Sequence, residues 1–220
     1  MQLQLNDVTY KYQDKYHTVT AVNHFSHDFT PGVFYAVMGK SGSGKTTLLS
    51  LIAGLMLPSE GEVLIDGTAT SQMNRNQLRR DRIGVIYQNF NLFPLLTVEE
   101  NVAYPLRLRK ENGDVNALVR EKLKLVDIQD EQFSRLPVTL SGGEQQRVAI
   151  ARALAAGSEI ILADEPTGSL DEENGQNIVR ILKDLAHNEN RCVIVVTHDP
   201  AIGEQADQVL HMKDGKLEEE

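Results

Sequence analysis

Tryptophan is absent, aromatic residues make up only 5% of the chain, and there is a single cysteine, Cys192. One cysteine excludes an intrachain disulfide. Its place in the apolar run Cys192-Val193-Ile194-Val195-Val196 reads as a small core residue in a reducing compartment. Basic side chains are scarce too: 22 Lys and Arg against 31 Asp and Glu leave a net charge of −9, which argues against broad electrostatic binding to DNA or RNA. No nucleic-acid partner is expected. No window approaches the ~20 consecutive apolar residues that a membrane-crossing helix needs. The start, Met1-Gln2-Leu3-Gln4-Leu5, lacks the basic opening and apolar stretch of a signal peptide. Direct membrane insertion is therefore not expected, and any work at a membrane requires a crossing provided by another chain. Internal repeats, low-complexity tracts and linkers are also missing. What these absences leave, over 220 residues of which 41% are hydrophobic, is one sizeable α/β core with room for a small inserted lobe.

One stretch organises that core. Gly39-Lys40-Ser41-Gly42-Ser43-Gly44-Lys45-Thr46 fits the phosphate-loop pattern at every fixed position. The apolar run Val33–Met38 before it reads as a buried strand, and Thr47–Ala53 after it recurs like a helix. Glycine at 39, 42 and 44 allows φ > 0 and a close backbone approach to a ligand. Exposed N–H groups at a helix start favour a polyphosphate. Lys45 is expected to reach the terminal phosphates and the Thr46 hydroxyl to hold Mg²⁺.

Along the chain, residues 2–10 and 19–29 alternate like strands, separated by the tyrosine-rich stretch Tyr10–Tyr16. Pro58–Gly61 reads as a turn and Glu62–Gly67 as a short strand. Residues 75–82 are basic and helical, and Ile83–Tyr87 is a buried strand closed by Gln88. From 89 to 156 the character is helical: Thr97-Val98-Glu99-Glu100 is a capping box, Asp114 starts a helix through Val126, and another runs from Glu144 to Ala156. We read 89–156 as a helical subdomain inserted into a core of 1–88 and 157–220, the whole chain forming one nucleotide-binding domain. Strands 160–164, 192–197 and 208–212 alternate with helices at 172–187 and from Pro200, and the tail Glu218-Glu219-Glu220 is expected to be solvated.

Two further stretches carry chemistry. Ile160–Ala163 places Asp164 and Glu165 at the carboxyl end of a central strand, where α/β sheets bind ligands. Asp164 suits Mg²⁺, and Glu165 can accept a proton from an attacking water. In Leu140-Ser141-Gly142-Gly143-Glu144-Gln145-Gln146, a capping serine and two glycines open a helix and form a second anion site. A plain N-cap accounts for Ser141 but hardly for both glycines, since glycine weakens helices. Two phosphate-binding helix starts in one chain suggest that the second serves a partner subunit.

With these residues in order, the chain resembles an ATP-binding cassette protein over essentially its whole length. In the family's pattern Gln88 is the Q-loop glutamine, Leu140–Gln146 the signature, Ser169-Leu170-Asp171 the D-loop and His198 the switch histidine. Taken singly, Gln88 could end a strand, Asp171 could cap a helix and His198 could be a surface residue. The resemblance implies a P-loop NTPase core, mostly parallel, with an antiparallel β edge and the helical insertion. It implies ATP and Mg²⁺ as cofactors, bound by residues 39–47 (Thr47 included), Gln88 and Asp164, with Glu165, His198 and Gln88 catalytic. Thr46, Gln88 and Asp164 form the metal shell. Ser141, Gly142, Gly143 and Asp171 would reach the nucleotide of the opposite subunit in a homodimer. Tyr12 fits the aromatic that stacks on adenine, with Tyr10 and Tyr16 close enough to compete.

Tyr87–Val102 and Ala163–Asp171 are most similar to the group of lipoprotein-release, macrolide-efflux and cell-division ATPases, with Ser169 where many members have Asn. The chain ends soon after its last strand, without the regulatory domain of sugar and methionine importers. These features imply an ATP hydrolase driving a separate membrane permease, an exporter, peripheral at the cytoplasmic face of the membrane. The alternative is a cell-division-type ATPase that transmits force to a cell-wall hydrolase. Phe90, Leu92 and Phe93 are expected to be exposed and to receive a helix of the membrane partner, although Phe90 could equally be core.

Overall fold

The computed structural model describes residues 2–14 and 16–218. Of the expected solvated tail only Glu218, which is exposed, lies within the described residues; Glu219 and Glu220 lie outside them, as do Met1 and Lys15.

Two sheets organise the chain. The first is antiparallel and built from β1 (Leu3–Gln13), β2 (Thr18–Phe29), β4 (Glu60–Ile65) and β5 (Thr68–Ala69), in the order β2-β1-β4-β5. Its alternation sends Leu3, Leu5, Phe25, Phe29, Val63 and Ile65 to one buried side. The second sheet contains β3 (Phe34–Met38), β6 (Ile83–Tyr87), β7 (Ile160–Asp164), β8 (Cys192–Thr197), β9 (Gln208–Lys213) and β10 (Lys216–Leu217). Its order is β10-β9-β3-β8-β7-β6, parallel throughout except for β10. The expected α/β architecture, a mostly parallel core beside an antiparallel β element, is what the chain adopts.

A parallel sheet is covered on both faces, which is why its strands read as unbroken apolar runs. Successive residues of β3, β7 and β8 go to opposite sides. Phe34, Ala36, Ile161, Ala163, Val193 and Val195 join one cluster, while Tyr35, Val37, Ile160, Leu162, Ile194 and Val196 join the other. The second cluster continues into the antiparallel sheet and α1 (Lys45–Ile52). The first is covered by α3 (Val98–Leu108), α4 (Val115–Leu125), α5 (Gly142–Ala155) and α6 (Glu172–His187), whose buried residues pack into it without a break. Two short helices, α2 (Arg75–Asp81) and α7 (Pro200–Gly203), complete the set. Cys192 is buried, and burial pushes its thiol up to about 12, consistent with an inert core residue.

Helix starts follow the sequence closely. Thr97 and Ser141 both close capping boxes, with Glu100 and Glu144 respectively, and Asp114 and Asp171 accept N–H bonds at the starts of α4 and α6. Several expectations need correction. The turn before β4 is shorter than 58–61, because β4 already begins at Glu60, which pairs with Thr9 of β1. The first strand runs on past residue 10 to Gln13, so that Tyr12 belongs to β1 rather than to a connecting stretch. Two hairpins went unread, at Asp66-Gly67 and Asp214-Gly215. In both turns the Asp and the Gly each have positive φ, as a tight primed turn requires. Finally, of Phe90, Leu92 and Phe93 only Phe93 is well exposed, at 40%. Leu92 packs against the core cluster. Among the described residues, no helix is long and apolar enough to cross a membrane.

Candidate functional site

The parallel strands deliver their carboxyl ends to one edge. Register sets Met38 opposite Thr197, Tyr87 opposite Asp164, and Asp164 opposite Val196. The phosphate loop spans the gap from β3 to α1, with Gly44 as the N-cap residue at φ 102°. A Cβ at Gly44 would run into the Ala21 carbonyl, so both conformation and space demand glycine there. Gly42 also has positive φ, whereas Gly39 does not. Gly39 is needed for a different reason: a side chain would collide with the Met212 carbonyl.

Lys45 is nearly buried, and its Nζ donates to the carbonyls of Gly39 (2.6 Å) and Lys40 (3.1 Å). The lysine thus closes the loop on itself, around a space lined by backbone. Thr46 Oγ1 donates to Asp164 Oδ1 at 3.2 Å. Burial holds the Asp164 carboxyl above the ordinary carboxylate range; Thr46 and Lys45 oppose that rise and Glu165 adds to it.

Glu165 follows with a left-handed φ of 46°, held by its own N–H to the Val196 carbonyl (3.0 Å) and by the Gly168 N–H to its carbonyl (3.1 Å). Its side chain is engaged at both oxygens. His198 Nδ1 lies 2.8 Å from Oε1, and Thr197 Oγ1 donates to Oε2 at 3.0 Å. An ionised carboxylate only accepts, so Nδ1 carries the hydrogen and Nε2 of the 70%-exposed histidine is left for other partners.

A cleft of about 740 Å³ collects most of the expected residues: Tyr12, Ser41, Gly42, Gly44, Lys45, Thr46, Thr47, Gln88, Asp164, Glu165 and His198. Val19, Thr20 and Ala21 of β2 complete one wall, and the Asp214-Gly215 turn forms its rim. That turn is tied in place by the Gly215 N–H to the Ser43 carbonyl (3.0 Å) and the Asn23 N–H to the Gly215 carbonyl (2.8 Å). Gly39, Lys40 and Ser43 face an adjoining depression with His211 and Lys213 instead. Of the three tyrosines, only Tyr12 lines the cleft, with its hydroxyl 3.3 Å from Thr47 Oγ1 and Tyr10 edge-on behind it at 5.0 Å.

Ser141, Gly142, Gly143 and Asp171 stay outside this cleft. Ser141 Oγ accepts the Glu144 N–H, and Glu144 Oε2 accepts that of Ser141, which leaves the N–H groups of Gly142 and Gly143 out of the box. Gly143 also has a packing reason that sequence did not reveal, since a Cβ there would strike the Asn174 side chain. Asp171 caps α6 through the Asn174 N–H (2.9 Å) and binds the Asn174 amide, which holds its carboxyl below the ordinary range. The signature helix is linked to the catalytic edge by the buried Gln146, whose amide donates to the Pro166 carbonyl at 2.9 Å. Gln88 meets the same segment, its carbonyl lying 3.4 Å from Ser169 Oγ.

Sequence reasoning missed Thr197, Asn174 and the Asp214-Gly215 turn. The Asp-Gly pair was a readable signal; the other two come to light only through packing.

Comparison with known proteins agrees with this geometry. The family profile described as "ABC transporter" matches residues 22–168. The chain is 42% identical to the ABC transporter ATP-binding protein MJ0796 of Methanocaldococcus jannaschii, over 99% of this chain and 96% of that one. It is also 42% identical to the macrolide export ATP-binding/permease protein MacB of Mannheimia succiniciproducens, covering 91% of this chain but only 31% of that protein. Among solved structures, the dimeric post-hydrolysis state of MJ0796 bound to ADP and Pi superposes with a TM-score of 0.90 at 39% identity, covering 99% of this chain and 97% of that one. This chain belongs to the ABC transporter family and is one of its ATP-hydrolysing, ATP-binding cassettes.

Proposed function

We propose that this cassette is a peripheral subunit that dimerises on ATP and drives a separate membrane permease from the cytoplasmic face, in the direction of export. The observation that carries the proposal is the partition of the site. One cleft gathers the phosphate loop, Tyr12, Gln88, Asp164, Glu165 and His198, while Ser141 and Asp171 face elsewhere. Such a chain holds two complementary halves of a site, and a head-to-tail pair completes both. The dimeric form of MJ0796 supports the same arrangement.

In this reading ATP lays its adenine on Tyr12 and its phosphates along Gly39–Thr46. Lys45 exchanges two loop carbonyls for phosphate oxygens. The oxygen-only set of Thr46, Gln88 and Asp164 suits Mg²⁺, which binds through one or two carboxylates together with phosphates. When bound, that ion neutralises charge developing on the terminal phosphates. Glu165 takes the proton of the attacking water, and His198, released from Glu165, turns a ring N–H toward the γ-phosphate. Ser141 and Gly143 of one protomer, with Asp171, close over the nucleotide held by the other.

We extend the proposal to the helical lobe, 89–156, as the part that contacts the permease. A groove of about 350 Å³ between α2, β6, α3 and α5 exposes Phe93, Tyr104 and Leu108, apolar side chains of the kind a docking helix covers. The likeness to a macrolide export protein supports export.

Glu165→Gln tests the core of this reading. It keeps shape and hydrogen-bonding reach but removes the proton acceptor. ATP binding should survive, turnover should fall by about 10²–10⁴-fold, and an ATP-dependent dimer should persist by light scattering. Hydrolysis near the wild-type rate would place the base elsewhere, with His198 the next candidate.

A further inference from the structure

Glu165 has a flexible side chain with two chemically equivalent oxygens, so a fixed partner on one of them decides where the other is held. One of its two hydrogen-bond partners, His198, is 70% exposed. The other, Thr197, is fully buried as the last residue of β8. Thr197 Oγ1 accepts the Asp199 N–H at 3.0 Å, which uses a lone pair and leaves its single hydrogen for Glu165 Oε2, 3.0 Å away. As a β-branched residue it has a stiff χ1. The strand end therefore offers a fixed donor, whereas the histidine is on a loop open to solvent.

From this we infer that Thr197 is a positioning residue for the proposed general base: its buried hydroxyl pins Oε2 of Glu165 and thereby aims Oε1 into the cleft. The inference rests on the reading of Glu165 as the base. It also assigns the two partners different jobs. Thr197 fixes the carboxylate, while His198 is free to move with nucleotide.

Steady-state hydrolysis by the full-length chain tests this with Thr197→Val, Thr197→Ser, Glu165→Gln and the Thr197→Val/Glu165→Gln double variant. Valine keeps the shape of threonine and loses the donor, so kcat should fall by about 10–100-fold, the scale of a small misplacement at a reacting centre. KM for ATP should stay within about twofold, because Thr197 meets the phosphate loop only through its backbone carbonyl, which accepts the Gly39 N–H at 3.3 Å and is unchanged by the substitution. Serine restores the hydroxyl and should restore kcat, which a merely structural effect of the missing methyl group would not allow. Adding Thr197→Val to Glu165→Gln should cost nothing more. Wild-type kcat in Thr197→Val alongside slow Glu165→Gln overturns the inference and leaves the base intact. A full additional loss in the double variant overturns it too, since the hydroxyl would then act through Asp199. Fast Glu165→Gln overturns the base reading itself, and the inference with it. Thr197→Ala carries the same four-way comparison should a methyl in place of Oγ1 disturb β8.

Discussion

Burial holds the Asp164 carboxyl above the ordinary carboxylate range, despite the opposing Thr46 hydroxyl and Lys45 charge, with Glu165 pushing it further up. A carboxyl whose folded pKa is raised binds its proton more readily folded than unfolded. Ionising it therefore costs stability fully above the raised value, and that cost disappears as pH falls through the ordinary value of about 4. Asp164→Asn should accordingly raise the melting temperature of the nucleotide-free chain at pH 7.5, by about 1–3 °C for a chain of this size. The gain should vanish toward pH 4, while hydrolysis becomes poor and more dependent on Mg²⁺ concentration. A lower melting temperature at both pH values would mean that the Thr46 contact outweighs the burial. Tyr12 carries the other residue-scale prediction. Tyr12→Ala should weaken ATP binding by about 1–3 kcal/mol, the scale of base–aromatic stacking. Tyr10→Ala should cost less, through loss of the edge-on support at 5.0 Å, and Tyr16→Ala nothing, since it lies outside the cleft. Equilibrium binding of a fluorescent ATP analogue to the three variants ranks them; a larger loss at Tyr10 or Tyr16 would reassign the stacking residue. Motif residues such as Asp164 were legible because their chemistry is tied to order along the chain. Thr197 was not, because a threonine at the end of an apolar strand is unremarkable until Glu165 is seen against it.

Between β6 and α3 the chain has no regular structure, yet residues 93–97 are fixed by one side chain. Asn101 is fully buried on α3; its Oδ1 accepts the Phe93 N–H at 2.8 Å, and its Nδ2 donates to the carbonyls of Phe93, Leu96 and Thr97 at 3.0–3.1 Å. The clamp sets Phe93 on the groove, where it also packs on Tyr104 at 4.8 Å. Asn101→Leu keeps the branching of the side chain but replaces the amide with methyl groups, leaving the part-buried Phe93 N–H and Leu96 carbonyl without their partner. Each unsatisfied group costs about 1–3 kcal/mol, so unfolding in urea should show a loss of that order. ATP affinity should hold, because none of these groups lines the nucleotide cleft. Unchanged urea midpoints would show that water replaces the amide. At this scale the sequence was readable wherever a local rule decides the outcome. The capping boxes at Thr97 and Ser141 and the apolar strands 83–87, 160–164 and 192–197 all lie where the pattern puts them. The Asp66-Gly67 and Asp214-Gly215 hairpins had an equally local signal that was passed over, and β5 and β10, at two residues each, are too short for periodicity to show. The Asn101 clamp is of the opposite kind, a polar residue inside an amphipathic helix whose value lies entirely in a neighbouring loop.

At the scale of the molecule, the decisive fact is what one chain does not bring together. The phosphate loop, Asp164 and Glu165 share a cleft, and Ser141 at the head of α5 does not reach it. If a second copy completes the site, a change at Ser141 must leave the chain's own nucleotide binding alone and abolish pairing. Ser141→Arg does so by filling the space meant for the partner's γ-phosphate, but it also removes the cap on the Glu144 N–H, worth about 0.5–2 kcal/mol. Ser141→Asp separates the two effects. Aspartate caps a helix as well as serine does and puts a negative charge against the phosphate. In a Glu165→Gln background, where ATP should hold the closed pair, we expect both substitutions to give monomers at saturating ATP by light scattering. Monomer affinity for ATP should be unchanged in both, and the melting temperature lowered only for arginine. Dimers of either variant at the level of Glu165→Gln alone would exclude the head-to-tail pairing of these two half-sites. They would leave the glycines at 142 and 143 to the packing role seen in the single chain, where Gly143 lies against Asn174 and Gly142 against Leu170.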